Sequence, residues 1–124
     1  MTLLDTNIFI EFYRGNPTIA TEMAKITKPN FAASDITVAE LYFGAKNKQE
    51  LNFIRKDLSS INILPVQAGI SSIAISLMET YCLSHRLALA DAYIAATAIY
   101  HNIELYTLNL KDFYFLPDIK IYGV

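Results

Sequence analysis

The spacing of apolar positions changes repeatedly along this chain, and each change marks a new element. Thr2 to Asp5 is a short apolar run closed by an acid, and Thr6-Asn7 supplies side chains of the kind that start helices. A strand is therefore expected, followed by a helix over Asn7 to Tyr13 that stops at the turn Arg14-Gly15-Asn16-Pro17. A second helix is predicted from Thr18 to Thr27 and a second strand from Phe31 to Ser34. Thr37 to Ala45 reads as helical, and from Lys48 to Ser59 charges alternate with Leu51, Ile54 and Leu58 at helical spacing. Ile61 to Val66 reads as a third strand interrupted by Pro65, and Ala68 to Ser84 as a long helix with Ile70, Ile73, Leu77 and Tyr81 on one stripe. Leu87 to Ile103 is mostly apolar and rich in Ala, after which Glu104 to Thr107 and Ile119 to Tyr122 read as two more strands. Short apolar strands alternating with helices predict an α/β fold: a parallel sheet covered on both faces, with ligands beyond the carboxyl ends of its strands.

Composition narrows this picture. The chain has 124 residues, the size of one domain, so a single domain over 1–124 with a single site is expected. Hydrophobic residues make up 53% and charged residues 18%, an apolar surplus that no membrane span absorbs, since no uninterrupted apolar run approaches roughly 18 residues. The first ten residues carry an acid and no basic start of a signal peptide. The surplus points to a partner surface, on a second copy or on another protein. Cys82 is the only cysteine, which excludes a disulfide framework and a thiolate cluster and suits a reducing cytoplasm. His85 and His101 lie outside zinc-site spacing, leaving carboxylates for any metal chemistry. The net charge of -2 argues against sequence-blind attraction to nucleic acid, although two bound divalent ions would reverse its sign.

Asp91 is the most informative residue. Between Arg86 and Glu104 it is the only formally charged side chain in a stretch that has to be largely buried, and a buried unpaired carboxylate is costly. It requires a cation, hydrogen bonds or an open cleft, unless it caps the helix continuing through Ala92 to Ala95. Asp5 closes the first strand and should project into the crevice at the sheet's carboxyl edge, with a helix cap as the alternative. Glu40 has a specific rival role, because Thr37-Val38-Ala39-Glu40 fits a capping box. Three acids at strand ends or first helical turns can converge in a parallel sheet. Converging carboxylates raise one another's pKa unless a cation is present, and an all-oxygen cluster prefers Mg²⁺ or Mn²⁺. Two such ions serve hydrolysis of a phosphodiester. After the fourth strand, Thr107 to Phe113 adds oxygen ligands at the same edge; Thr107 and Asn109 are candidates for holding a bound water or a substrate phosphate. The alternative there is a turn in which Asn109 or Asp112 caps a short helix.

Four stretches together resemble the PIN-domain nucleases, and within them the toxins of virulence-associated protein C type. They are Leu-Leu-Asp-Thr-Asn at 3 to 7, Ser-Asp-Ile-Thr-Val-Ala-Glu-Leu-Tyr-Phe-Gly-Ala at 34 to 45, Ala-Asp-Ala-Tyr-Ile-Ala-Ala-Thr-Ala at 90 to 98, and Leu-Tyr-Thr-Leu-Asn-Leu-Lys-Asp-Phe at 105 to 113. The resemblance implies a three-layer α/β/α sandwich with a five-stranded parallel sheet, and endonucleolytic cleavage of RNA dependent on Mg²⁺ or Mn²⁺. It assigns metal binding and catalysis to Asp5, Glu40 and Asp91, with Thr6, Asn7 and Thr107 as substrate-binding candidates. Many members carry a fourth acid where this chain has Asn109, so Asn109 or Asp112 is the candidate for the remaining ligand. It further implies a homodimer held inactive by a cognate antitoxin, with Phe9, Phe12, Tyr42 and Phe43 as candidate contacts and a core role as the alternative for each. Arg14, Lys46, Lys48, Arg55 and Arg86 are candidate phosphate contacts, or simply solvated helix faces. Two other readings remain open: an RNA-processing PIN nuclease that is no toxin, and a catalytically inactive PIN fold used as a binding module.

Overall fold

The computed structural model describes residues 1–124. Four strands and six helices alternate along the chain: β1 (Thr2–Leu4), α1 (Thr6–Tyr13), α2 (Pro17–Ile26), β2 (Phe31–Ser34), α3 (Asp35–Phe43), α4 (Lys48–Leu58), β3 (Asn62–Leu64), α5 (Ala68–Tyr81), α6 (Leu89–His101) and β4 (Glu104–Tyr106). All pairings in the sheet are parallel, in the order β3-β2-β1-β4.

Side chains on a strand alternate between the two faces of its sheet, and this alone separates two cores. Leu3, Ala32 and Leu105 face one way, into a cluster with Ile70, Ala74 and Leu77 of α5 and the alanines of α6. Leu4, Ala33 and Tyr106 face the other, against Ile8 and Phe9 of α1, Ile19 and Met23 of α2, and Ile54 and Leu58 of α4. The result is the expected three-layer α/β/α sandwich. β1, buried along its whole length, is apolar on both faces for this reason. α6 is likewise buried on most sides, and its alanines let the helix approach the sheet closely. No helix is long and apolar enough to cross a membrane.

The sheet has four strands where five were expected. Ile119 to Tyr122 forms only a single parallel bridge, Leu105 to Ile121, secured by Leu105 N donating to Lys120 O at 2.8 Å and Tyr122 N donating to Leu105 O at 2.9 Å. Pro117, and the left-handed backbone of Asp118 and of Gly123 (φ 64° and 78°), bend the chain on either side of this bridge. The alternation persists even so: Ile121 packs toward the α5–α6 core, and Tyr122 meets Tyr106 at 4.9 Å.

Helix boundaries moved where a cap lay earlier than expected. α1 begins at Thr6, capped by Asp5, and α3 begins at Asp35, capped by Ser34, whose hydroxyl accepts from Thr37 N at 3.2 Å. α5 stops at Tyr81, three residues short of the predicted Ser84, and the apolar, alanine-rich stretch forms α6 from Leu89; Arg86 between them is left-handed (φ 53°).

The four aromatic residues considered as partner contacts divide sharply. Phe9 is fully buried, Phe12 and Tyr42 are partly exposed, and Phe43 is 91% exposed. Phe9→Ala is expected to cost about 3–5 kcal/mol in urea denaturation, whereas Phe43→Ala should shift stability by no more than about 0.5 kcal/mol. Comparable losses for the two would contradict this division.

Candidate metal centre

Asp5 is the first residue beyond β1, and its amide continues the ladder by donating to Tyr106 O at 2.9 Å. Its side chain is 4% exposed and fully engaged: Oδ1 accepts from Thr6 N at 2.8 Å and Oδ2 from Thr107 Oγ1 at 2.8 Å. The two expected roles thus coincide, because the residue that caps α1 also presents its carboxylate at the sheet's carboxyl edge. Burial pushes the Asp5 carboxyl up, the Thr107 and Thr6 donors pull it back, and the charges of Glu40 and Asp112 raise it further.

Glu40 does not close a capping box. With α3 starting at Asp35 it lies beyond the first turn, and its Oε1 instead accepts from Thr6 Oγ1 at 2.6 Å. The same Thr6 hydroxyl lies 3.0 Å from that of Thr37, which is fully buried. One hydroxyl has one proton to give, so with Glu40 ionised the order is Thr37 to Thr6 to Glu40. Thr107 repeats the device at Asp5, accepting from Asn109 N at 3.0 Å while donating to the carboxylate.

Asp91 sits in the first turn of α6 but does not cap it; that position belongs to Ala88, which has no capping side chain. Burial raises its carboxyl to about 6, with the charges of Asp5, Asp112 and Glu40 adding to the shift and no hydrogen bond opposing it. These four carboxylates therefore share one electrostatic neighbourhood. None takes part in the molecule's ion pairs, which join Arg14 to Glu11, Lys25 to Glu22 and Lys28 to Asp57.

The remaining candidates are placed less directly. Asn109 reaches the site through its backbone amide, its side chain being exposed, and neither it nor Asp112 caps the 3-10 turn Leu110–Asp112 with its side chain. Asp112 joins the acids through its charge. Asn7 uses its side-chain oxygen to accept from Leu108 N at 3.3 Å, pinning the loop after β4 to α1. Thr6 and Thr107 give their protons to the acids, so they position carboxylates and are not free donors toward a substrate. Sequence reasoning missed Thr37 and Ser34. The signal was present in Ser34-Asp35, a helix-capping pair directly after a strand, which moves the start of α3 and removes the rival capping role of Glu40.

Four carboxylates with threonine hydroxyls and no protein cation form an all-oxygen, anionic donor set, the kind a hard divalent ion takes. No three of them are gathered into a ready-made shell. That also fits Mg²⁺, which binds through one or two carboxylates and keeps several waters.

A family model described as the PIN domain matches residues 2–114. The chain belongs to the PIN-domain family. Among relatives of this PIN domain, ribonuclease VapC19 of Mycobacterium tuberculosis is 32% identical over 123 residues, covering 97% of this chain and 98% of the relative. Toxin FitB of Neisseria gonorrhoeae is 31% identical, covering 99% and 97%. Among solved structures, a toxin-antitoxin complex from Klebsiella pneumoniae superimposes with a TM-score of 0.82 at 34% identity, covering 96% of this chain and 95% of the other.

The Asp91 shift has a testable sign. Its carboxyl, ordinarily at 3.8, is held near 6 in the fold, so the folded state binds the proton more tightly than the unfolded chain does. Its contribution is fully present below about pH 4 and is lost as pH rises through 6. In EDTA-treated protein, Asp91→Asn should match wild-type thermal stability near pH 4 and exceed it increasingly up to pH 7. A stability difference that is flat across this range would show that neither burial nor the neighbouring acids raise the Asp91 carboxyl.

Proposed function

We propose that this PIN domain is a metal-dependent endoribonuclease, the toxin of a toxin-antitoxin pair, with Asp5, Glu40 and Asp91 holding Mg²⁺ or Mn²⁺ and Asp112 supplying the further acid. The reading is carried by one observation: four carboxylates at the carboxyl edge of a parallel sheet, near enough for their charges to act on Asp5 and Asp91, with none of them ion-paired to a protein cation. Relatives aligned over nearly their full length are named as ribonucleases and a toxin, and the structural neighbours are toxin-antitoxin complexes.

The chain's own contribution is positioning and charge. Asp5 is locked by its two donors and Glu40 by the threonine pair, so both carboxylates are aimed before any ligand arrives. Asp91 is left without a donor, and its charge gives the cluster its need for a cation. When bound, such an ion supplies Lewis acidity toward a phosphodiester and a more acidic water. Asn109 at the position of the usual fourth acid lowers the local negative charge, and Asp112 restores it three residues on. Exposed apolar side chains such as Phe43 and Leu83 offer surface for an antitoxin and for a second copy of the chain.

Incubated with total cellular RNA, the purified antitoxin-free chain should yield discrete fragments with Mg²⁺ or Mn²⁺ and none with EDTA. Asp5→Asn, prepared identically, should lose activity by more than about a hundredfold, beyond the cost of removing an outer hydrogen-bond partner. A wild type as inert as the variant with every metal tried would overturn the enzymatic reading.

A further inference from the structure

The imidazole of His85 lies face to face with the ring of Phe115, centroids 4.0 Å apart and planes within 12° of parallel. Tyr81 meets both rings edge-on, at 5.6 Å from His85 and 5.3 Å from Phe115, and Ser84 Oγ is 2.8 Å from His85 Nδ1, which fixes the ring's rotation. Tyr81 and Phe115 pack against the core, yet His85 is exposed. Phe115 covers one face of the imidazole, so the opposite face meets solvent. A flat ring held in place with one face free is already organised for stacking and has little rotamer freedom left to lose.

The stack joins two segments that matter to the site. His85 lies in the connection between α5 and α6, six residues before Asp91, and Phe115 lies three residues beyond Asp112. Three residues of chain reach at most about 11 Å, which places the stack on the rim of the acidic cluster. Arg86, next to His85 in the chain, and Lys111, four residues before Phe115, are exposed, and neither takes part in an ion pair. Aromatic faces next to free cations are the recurring means by which proteins hold single-stranded nucleic acid, the ring taking a base and the cations the backbone.

We propose that His85, backed by Phe115, is a stacking site for a nucleobase of single-stranded RNA laid across the acidic edge, with Arg86 and Lys111 meeting the neighbouring phosphates. The proposal rests on the ribonuclease reading, and adds to it that the substrate is unpaired where it passes this rim. A duplex keeps its bases stacked on one another and has none to offer the ring.

The test uses the full chain with Mg²⁺ and a 12-nucleotide single-stranded RNA carrying one 2-aminopurine, moved along the strand in successive probes and followed before turnover by stopped-flow fluorescence. Wild type should quench the probe at one or two positions near the cleaved bond. His85→Phe should retain the quench, while His85→Leu, which keeps apolar bulk without a π face, should lose it. His85→Leu should also raise KM roughly five- to hundredfold, the effect of one lost base stack, and change kcat much less. Thermal melting checks that the leucine variant is folded, and the His85→Phe rescue separates stacking from packing. Normal quenching and KM in a folded, active His85→Leu variant would overturn the proposal. So would a changed sedimentation coefficient with unchanged RNA parameters, which would assign this face to a protein partner. A wild type that cleaves no RNA would be a different failure, that of the ribonuclease reading itself.

Discussion

Mutual repulsion among carboxylates held at one edge of the sheet is the constraint around which this molecule is organised. Burial raises the proton affinity of Asp5 and Asp91, and the charges of Glu40 and Asp112 raise both further, with Asp5 also acting on Asp91. The fold answers unevenly. Asp5 receives two donors and Glu40 one, the two threonine hydroxyls among them each held by a further group, whereas Asp91 receives none. A purely structural cluster would be neutralised by Lys or Arg, and the chain has ten such residues to draw on. Leaving the cluster anionic is a standing cost that a bound cation would remove.

The parallel sheet is what makes this concentration possible. Each strand ends at the same edge, so residues far apart in the chain, Asp5 after β1 and Thr107 after β4, meet within a hydrogen bond. The helices that follow β1 and β2 begin at that edge as well, bringing Thr6 and Thr37 together across thirty-one positions of chain. Asn7, which secures the loop after β4, belongs to the same stitching and explains why a polar side chain is needed at a place that touches no acid. The edge is thus a set of loops tied to one another by short polar side chains, two of which also hold Asp5 and Glu40 in place.

Much of this was legible. Short apolar runs marked β1, β2 and β4, and a lone charge in the alanine-rich stretch singled out Asp91, because burying one carboxylate among apolar residues is too costly to be incidental. The departures have equally specific causes. The rival capping role weighed for Glu40 assumes that Thr37 is the cap; Ser34, one turn earlier, caps α3 instead and sends Thr37 into the interior. The fifth strand failed because apolar alternation at Ile119 to Tyr122 reports facing, not pairing: Ile121 and Tyr122 do point to opposite cores, yet bends on either side leave one bridge. Thr6, Asn7 and Thr107, singled out as polar side chains at this edge, turn out to bond Glu40, Leu108 N and Asp5, partners that nothing local names.

By itself, the sequence determined the layers, the edge at which chemistry would lie and three of the acids that lie there. These follow from periodicity and from the cost of burying charge, which act within a few residues of chain. Only the tertiary structure decided which donor serves which carboxylate, that the charge of Asp112 reaches Asp5 and Asp91, and that His85 meets Phe115. Those are distances between segments far apart in sequence. They are set by how two cores pack on opposite faces of one sheet, and no local pattern encodes them.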